Sequence, residues 1–273
     1  MARTTYKLSE TRTFGIEIEA YGVERSVLCD ALRTAGIACQ DHGYSHATTD
    51  HWKIVSDSSI QGENTFELVS PPLKGADGIR QVETVCAVLH TLGVKVNKSC
   101  GLHVHHDAND LSLDHWKNLV KYYIKYEATL DTLVPSDRRQ GGNSYCKALR
   151  ANFASIKDAF KAIDRATTLR ELSEIVCGNN RYYTLNMTAF WRHGTVEVRH
   201  HSGTVEADKI LHWVSLTQCL VTRAMESATV RLHGTDLKAV CAKGWAVKPG
   251  FTSKPSTTTA TYYAARQTAL ATS

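Results

Sequence analysis

Four short stretches of this 273-residue chain obey one rule, and that rule constrains the fold more than anything else in it. In Gly15-Ile16-Glu17-Ile18-Glu19, in Phe66-Glu67-Leu68, in Gly101-Leu102-His103-Val104-His105 and in Thr195-Val196-Glu197-Val198-Arg199, apolar residues alternate with charged or metal-ligating ones. Successive side chains of a strand point to opposite faces, so residues two apart share a face. Each stretch therefore reads as a strand with one greasy side and one functional side. Set in one sheet, their polar face collects Glu17, Glu19, Glu67, Glu197, His103 and His105. Carboxylates crowded together raise one another's pKa and cost stability. Divalent cations relieve that repulsion, and a carboxylate-rich set with one imidazole suits Mg²⁺ or Mn²⁺ better than zinc.

Each piece alone has an ordinary alternative. A Glu-x-Glu strand is commonly the solvated side of an antiparallel sheet. His-x-His is as often a satisfied polar pair, and Glu197-x-Arg199 a surface ion pair. The weight comes from four such segments in one chain.

Turn and cap signals fill in the rest. Ser26 and Asp77 stand where they can cap helices closed by Gly36 and Gly93. Ser112–Leu133 is the longest amphipathic stretch, and shorter helices fit 152–163 and 169–176. Tyr182–Phe190 and Thr195–His201 read as a hairpin turning at Arg192-His193-Gly194, and 206–226 reads as a long helix. Strands joined by turns and helices, without regular β-α-β alternation, predict an α+β fold with a mainly antiparallel, curved sheet and helices on one face. One domain is expected over 1–245, with a flexible, Ser/Thr-rich, basic tail over 246–273 that holds at most a nascent turn at 262–267.

Composition trims the possible functions. The net charge of +5 resides in the C-terminal stretch from Lys238, which holds four lysines, one arginine and no acid. A neutral body with a basic tail is a weak nucleic-acid signal, and only the tail leaves that class open. No apolar run exceeds the five residues Val85–Leu89, far short of a membrane span, and the polar N-terminus suggests no signal peptide; a cytoplasmic protein is expected. None of the eight cysteines forms a Cys-x-x-Cys, so they read as reduced, buried small hydrophobes. A P-loop motif is absent.

The motifs in their order resemble the amidoligase family, which is assigned to the carboxylate–amine ligase superfamily of glutamine synthetase and glutamate–cysteine ligase. The resemblance rests on Gly15–Glu19, Phe66-Glu-Leu-Val-Ser-Pro-Pro72, Asn97-Lys-Ser-Cys-Gly-Leu-His-Val-His105 and Gly194-Thr-Val-Glu-Val-Arg199 with Ser202-Gly-Thr204, over about residues 13–215. It implies a glutamine synthetase-type catalytic domain and ATP-dependent amide formation through an acyl phosphate. It also implies two or more Mg²⁺ ions. Glu19 and Glu67 would hold the metal nearer the substrate; Glu17, His103 and Glu197 would hold the metal on the ATP phosphates. Arg199 would contact the transferred phosphoryl group, and His105 would lie near the nucleotide. Asp57 stands where the superfamily often places an acid beside the incoming amine, or caps a turn. Asn97 contacts the substrate carboxylate or makes an Asx-turn. Arg181 holds phosphate or is a surface arginine, Asn186 lines the site, and Arg138 and Arg139 belong to a lid or a solvated loop. The competing readings are a metal-dependent hydrolase or cupin-like enzyme built on His103 and His105, and an inactive binding protein on the same fold. The identity of the carboxylate and the amine, and the oligomeric state, are not legible.

Overall fold

The computed structural model describes residues 6, 8–139, 142–232 and 257–271. Seven strands form one mixed sheet: β1 (Phe14–Ala20), β2 (Cys39–Gly43), β3 (Trp52–Val55), β4 (Phe66–Val69), β5 (Gly101–Asp107), β6 (Leu185–Asn186) and β7 (Thr195–Ser202), in the order β2-β3-β4-β1-β5-β7-β6. The expected mainly antiparallel sheet is corrected to a mixed one, because β2 pairs in parallel with β3. Strand β2 carries Gln40, Asp41 and His42 in a row, so it shows no alternation from which pairing could be read. Chain contacts divide the protein into two compact units. One is Leu8–His106 with His201–Val214; the other is built on Asp107–His200 and the chain from Ser215.

In the first unit, β1 pairs antiparallel with β4 and β5, and β3 pairs antiparallel with β4. Phe14, Ile16, Ile18, Leu68, Leu102 and Val104 are all buried, as the alternation requires. They share this core with α1 (Arg25–Thr34) and α2 (Gly75–Thr91). Trp52 Nε1 donates to Gln81 of α2 at 2.9 Å, and Gly78 of α2 lies so close to Phe14 and Leu73 that a Cβ there would sit 3.0–3.1 Å from them. Neither expected cap is used. Glu24 and Lys74 precede the two helices, while Asp77 lies inside the first turn of α2, bonded to Arg80 and Gln81. Acids are favoured there by the helix dipole rather than by capping. Gly203 abuts Cys100, and a Cβ would come within 2.5 Å of the Cys100 Cβ, which explains the glycine after Ser202.

The second unit is mostly helical: α3 (Leu113–Asp131), α4 (Ile156–Arg165), α5 (Leu169–Cys177), α6 (Ala189–His193) and α8 (Thr257–Ala271), with the C-terminal half of α7 (Ala207–Glu226). A Ser112/His115 capping box starts α3, and Asn118 and Tyr122 tie it to the end of α7 through Ala224 and Ser227. The expected Tyr182–Phe190 strand shrinks to the two residues of β6 followed by α6. Gly194, at φ +67° with Asn109 crowding its Cα, reverses the chain into β7.

The tail expectation is also corrected over Thr257–Ala271, which form a helix. Tyr263 is buried, Arg266 Nε donates to Leu133 O at 2.7 Å, and Gln267 bonds Thr132. The other tail residues, 246–256 and 272–273, lie outside the described residues. The seven described cysteines are free thiols, six of them buried, and Cys241 lies outside the described residues. Among the described residues, no helix is long and apolar enough to cross a membrane.

Candidate functional site

Strand register decides which charged side chains meet. In the first unit Glu17 lies directly opposite His103, Gly15 opposite His105, and Glu19 opposite Glu67. Directly paired residues share a face, so Glu17, Glu19, Glu67, His103 and His105 stand together on the side of β1, β4 and β5 away from Ile16, Ile18, Leu102 and Val104. His103 Nδ1 is 2.9 Å and His105 Nε2 3.2 Å from the two carboxylate oxygens of Glu17. His103 Nε2 lies 3.5 Å from Glu19 Oε1, and Gly101 N–H donates to Glu19 Oε2 at 2.5 Å.

The electrostatics follow from this packing. Burial pushes the Glu67 carboxyl well above its ordinary value, and the charges of Glu17 and Glu19 and a hydrogen bond shared with Glu17 push it further. Burial acts to raise Glu17 too, but the His105 charge and the bonds from His103 and His105 outweigh it and hold Glu17 well below the usual range. The two carboxyls are thus driven in opposite directions. A proton on a crowded carboxylate marks a place a cation can take. One ligand atom each from Glu19, Glu67 and His103 lie within 4.8 Å of one another. Two carboxylate oxygens and one imidazole nitrogen are a hard-ion donor set, which fits Mg²⁺ or Mn²⁺.

The sequence reading missed Lys53. Its neighbours Trp52, Ile54 and Val55 look like plain core, and a single lysine among them is the only signal. Pairing of Val55 with Glu67 and of Lys53 with Val69 puts Lys53 on the acidic face. It is only 4% exposed, and its ammonium donates to Ser45 O at 3.2 Å and Ala47 O at 2.5 Å. Burial lowers its pKa, opposed by the charges of Glu17 and Glu67. Asp57 and Asn97 both make the turns named as their alternatives. Asp57 Oδ1 accepts from Ser59 N and Oγ, each at 2.7 Å. Asn97 Oδ1 accepts from Ser99 N and Oγ while its amide donates to Gln61 O. Asp57 nonetheless stands near enough to Glu67 to help raise its pKa.

A second cluster sits on β6 and β7 in the other unit. Arg199 Nη1 donates to Glu197 Oε1 at 2.5 Å, and Asn186 Nδ2 donates to Glu197 Oε2 at 2.6 Å. Both charged side chains are nearly buried, at 6% and 13% exposure, so the surface ion-pair alternative does not describe them. Asn186 Oδ1 also takes the N–H and hydroxyl of Thr188. Arg181 lies 5.0 Å over the Tyr182 ring and bonds its hydroxyl, an exposed stacking arrangement. Arg138 is buried rather than in a solvated loop, and Arg139 donates to Val134 O. Behind β7, on the opposite side from Arg199, His200 is held between Asp131 at 2.8 Å and the Tyr123 hydroxyl at 2.9 Å, with none of the three more than 4% exposed.

Against known proteins, residues 10–221 match the family model described as "Putative amidoligase enzyme". No curated protein matches the chain. Among solved structures, a "novel glutamine synthase homolog" superposes with a TM-score of 0.51 at 14% identity, over 96% of this chain and 67% of that one. A structure titled "GmaS/ADP complex-Conformation 1" gives a TM-score of 0.43 at 11% identity, over 96% and 70%. The first likeness is one of fold.

Proposed function

Because the chain belongs to the amidoligase family, we propose that it is an ATP- and Mg²⁺-dependent carboxylate–amine ligase. The observation that carries this reading is the crowding of Glu17, Glu19, Glu67 and His103 on one largely buried face, with the Glu67 pKa pushed well upward. Such an arrangement is costly unless a cation is part of the working state.

In this reading Glu19 and Glu67 would hold the ion nearer the carboxylate substrate, and Glu17, His103 and Glu197 would hold the ion on the nucleotide. Bound divalent cations neutralise charge on the phosphates. Arg199 leaves Glu197 and offers its planar fork to two oxygens of the phosphoryl group being transferred. The substrate carboxylate takes that group, ADP departs, and the amine then displaces phosphate from the acyl phosphate. Asp57 accepts a proton from the incoming amine. His105 and Arg181 face the nucleotide, and Asn97 and Asn186 orient substrate. The substrates are a carboxylic acid and an amine, small molecules or peptides.

A thermal-shift series tests the reading. ATP with Mg²⁺ should raise the melting temperature and zinc should not. Stabilisation by zinc alone, with none from Mg·ATP, overturns it in favour of a hydrolase. ADP release measured across a matrix of acids and amines then identifies the substrate pair.

A further inference from the structure

The first unit carries a second place where ligand atoms converge, away from every residue assigned above. His42 lies in β2 and His51 immediately precedes β3, so they bracket the loop between these two parallel strands. Their Nε2 atoms are 3.0 Å apart, with ring centroids at 5.1 Å. Both loop ends are pinned. Gly43 N–H donates to Asp41 Oδ1 at 2.9 Å, Thr49 Oγ1 to His51 O at 2.7 Å, and Ser56 N–H to Gly43 O at 2.7 Å.

A third residue supports the pair. Asp50 Oδ1 sits 2.7 Å from His51 Nδ1. A carboxylate on the remote nitrogen is the usual outer support of a metal-binding imidazole. A metal bound by both Nε2 atoms would replace the hydrogen bond between them. Among the described residues no third His, Cys, Asp or Glu donor completes a three-ligand set with this pair. The nearby Asp41 is occupied by Arg25. Solvent must therefore supply the other positions.

The donor type selects the metal. Imidazole nitrogens with solvent oxygens suit tetragonal Cu²⁺ or Ni²⁺, and the Irving–Williams order puts Cu²⁺ first for such donors. We propose that His42 and His51 form a two-imidazole site for a tetragonal transition-metal ion, Cu²⁺ ahead of Ni²⁺ ahead of Zn²⁺. Bound there, the ion would staple the ends of the loop whose Ser45 and Ala47 carbonyls receive Lys53. The proposal does not depend on the ligase reading.

The test titrates the metal-free protein with Cu²⁺ by calorimetry, with the His103→Gln variant run in parallel so that any binding at the acidic face is recognised and subtracted. One strong equivalent is expected, with two-nitrogen hyperfine structure in the Cu²⁺ paramagnetic resonance spectrum. His42→Gln and His51→Gln should each weaken it at least tenfold, and Asp50→Asn by about tenfold, the usual effect of an outer-shell change. Wild-type Cu²⁺ affinity in either glutamine variant overturns the site, as does tighter binding of Zn²⁺ than of Ni²⁺. A measurement on unaltered protein guards against misfolded variants: added Cu²⁺ should broaden amide resonances of residues 42–53 before any others, and broadening elsewhere first overturns the proposal.

Discussion

Glu67, half-buried, and Glu127, fully buried, have opposite surroundings. Glu127, on α3, is fully enclosed. Its Oε1 takes the Leu149 N–H at 2.9 Å and the Thr184 hydroxyl at 2.5 Å, and its Oε2 takes the Arg150 N–H at 2.8 Å. Burial raises its pKa, and every one of those bonds works against the rise. For Glu67 burial and the neighbouring acids Glu17 and Glu19 act in the same direction, upward. A carboxylate surrounded by donors is a structural tie that fixes the 149–150 turn to α3. A carboxylate facing carboxylates is repelled by its neighbours, and a cation would relieve that repulsion. Desolvation acts upward on both; the sign of the neighbours separates them.

Substituting glutamine at both positions tests the contrast most directly. At Glu127 the new amide must turn its NH₂ toward an N–H donor, leaving that donor unpaired, and urea unfolding should show a loss on the order of 3 kcal/mol. At Glu67 the same change relieves repulsion, so metal-free stability should hold or rise while stabilisation by Mg·ATP falls sharply. Equal stability losses at the two sites would erase the distinction.

Arg199→Lys comes next. It keeps the charge and loses the fork, so turnover should fall about 10²-fold while nucleotide still binds, as is typical when one preorganised donor is lost. Unchanged ADP release would remove Arg199 from the phosphoryl contact.

His106 sharpens the comparison from the cationic side. Burial first, then the charges of Arg12 and His105, depress its pKa to about 3 from 6.5. A base with a depressed folded pKa gives stability that is present above the unfolded value and lost as pH falls. Between about pH 6.5 and 3, unfolding should take up one extra proton, roughly 1.4 kcal/mol per pH unit. Denaturation curves of His106→Gln should be flatter over that window; an unchanged slope would show that His106 is not the group responsible. The smallest effect belongs to an exposed acid. Asp77→Asn breaks only surface contacts with Arg80 and Gln81, and should change stability by less than about 0.5 kcal/mol.

Strands β1, β4, β5 and β7 were legible because a two-residue period survives wherever one face is apolar and the other is not. The five acidic-face residues of the first unit come from that period alone, and the meeting of Glu19 with Glu67 needed only the register. Strand β2 was invisible because its exposed polar residues carry no period. The hairpin before β7 was overdrawn because Tyr182, Tyr183 and Phe190 suggest strand, while Phe190 belongs to a helix only five residues long that leads to Gly194. Helix α8 was hidden by its threonines, whose branched side chains weaken helix propensity, and only contacts with Thr132 and Leu133 reveal why it forms. Lys53 was missed because a lysine between core residues reads as an accident until the strand beside it turns out to be β4. Asp57 and Asn97 show the reverse: the sequence offers a turn and a site equally, and the hydrogen bonds supply the turn.

Lys53 also bears on how the acidic face is balanced. Three glutamates and two histidines share that face, and a lysine 4% exposed beside them gives it a positive charge that the chain itself supplies. The ammonium is anchored to loop carbonyls rather than to the carboxylates themselves. In the proposed ligase it would temper their repulsion without occupying the positions a cation would take.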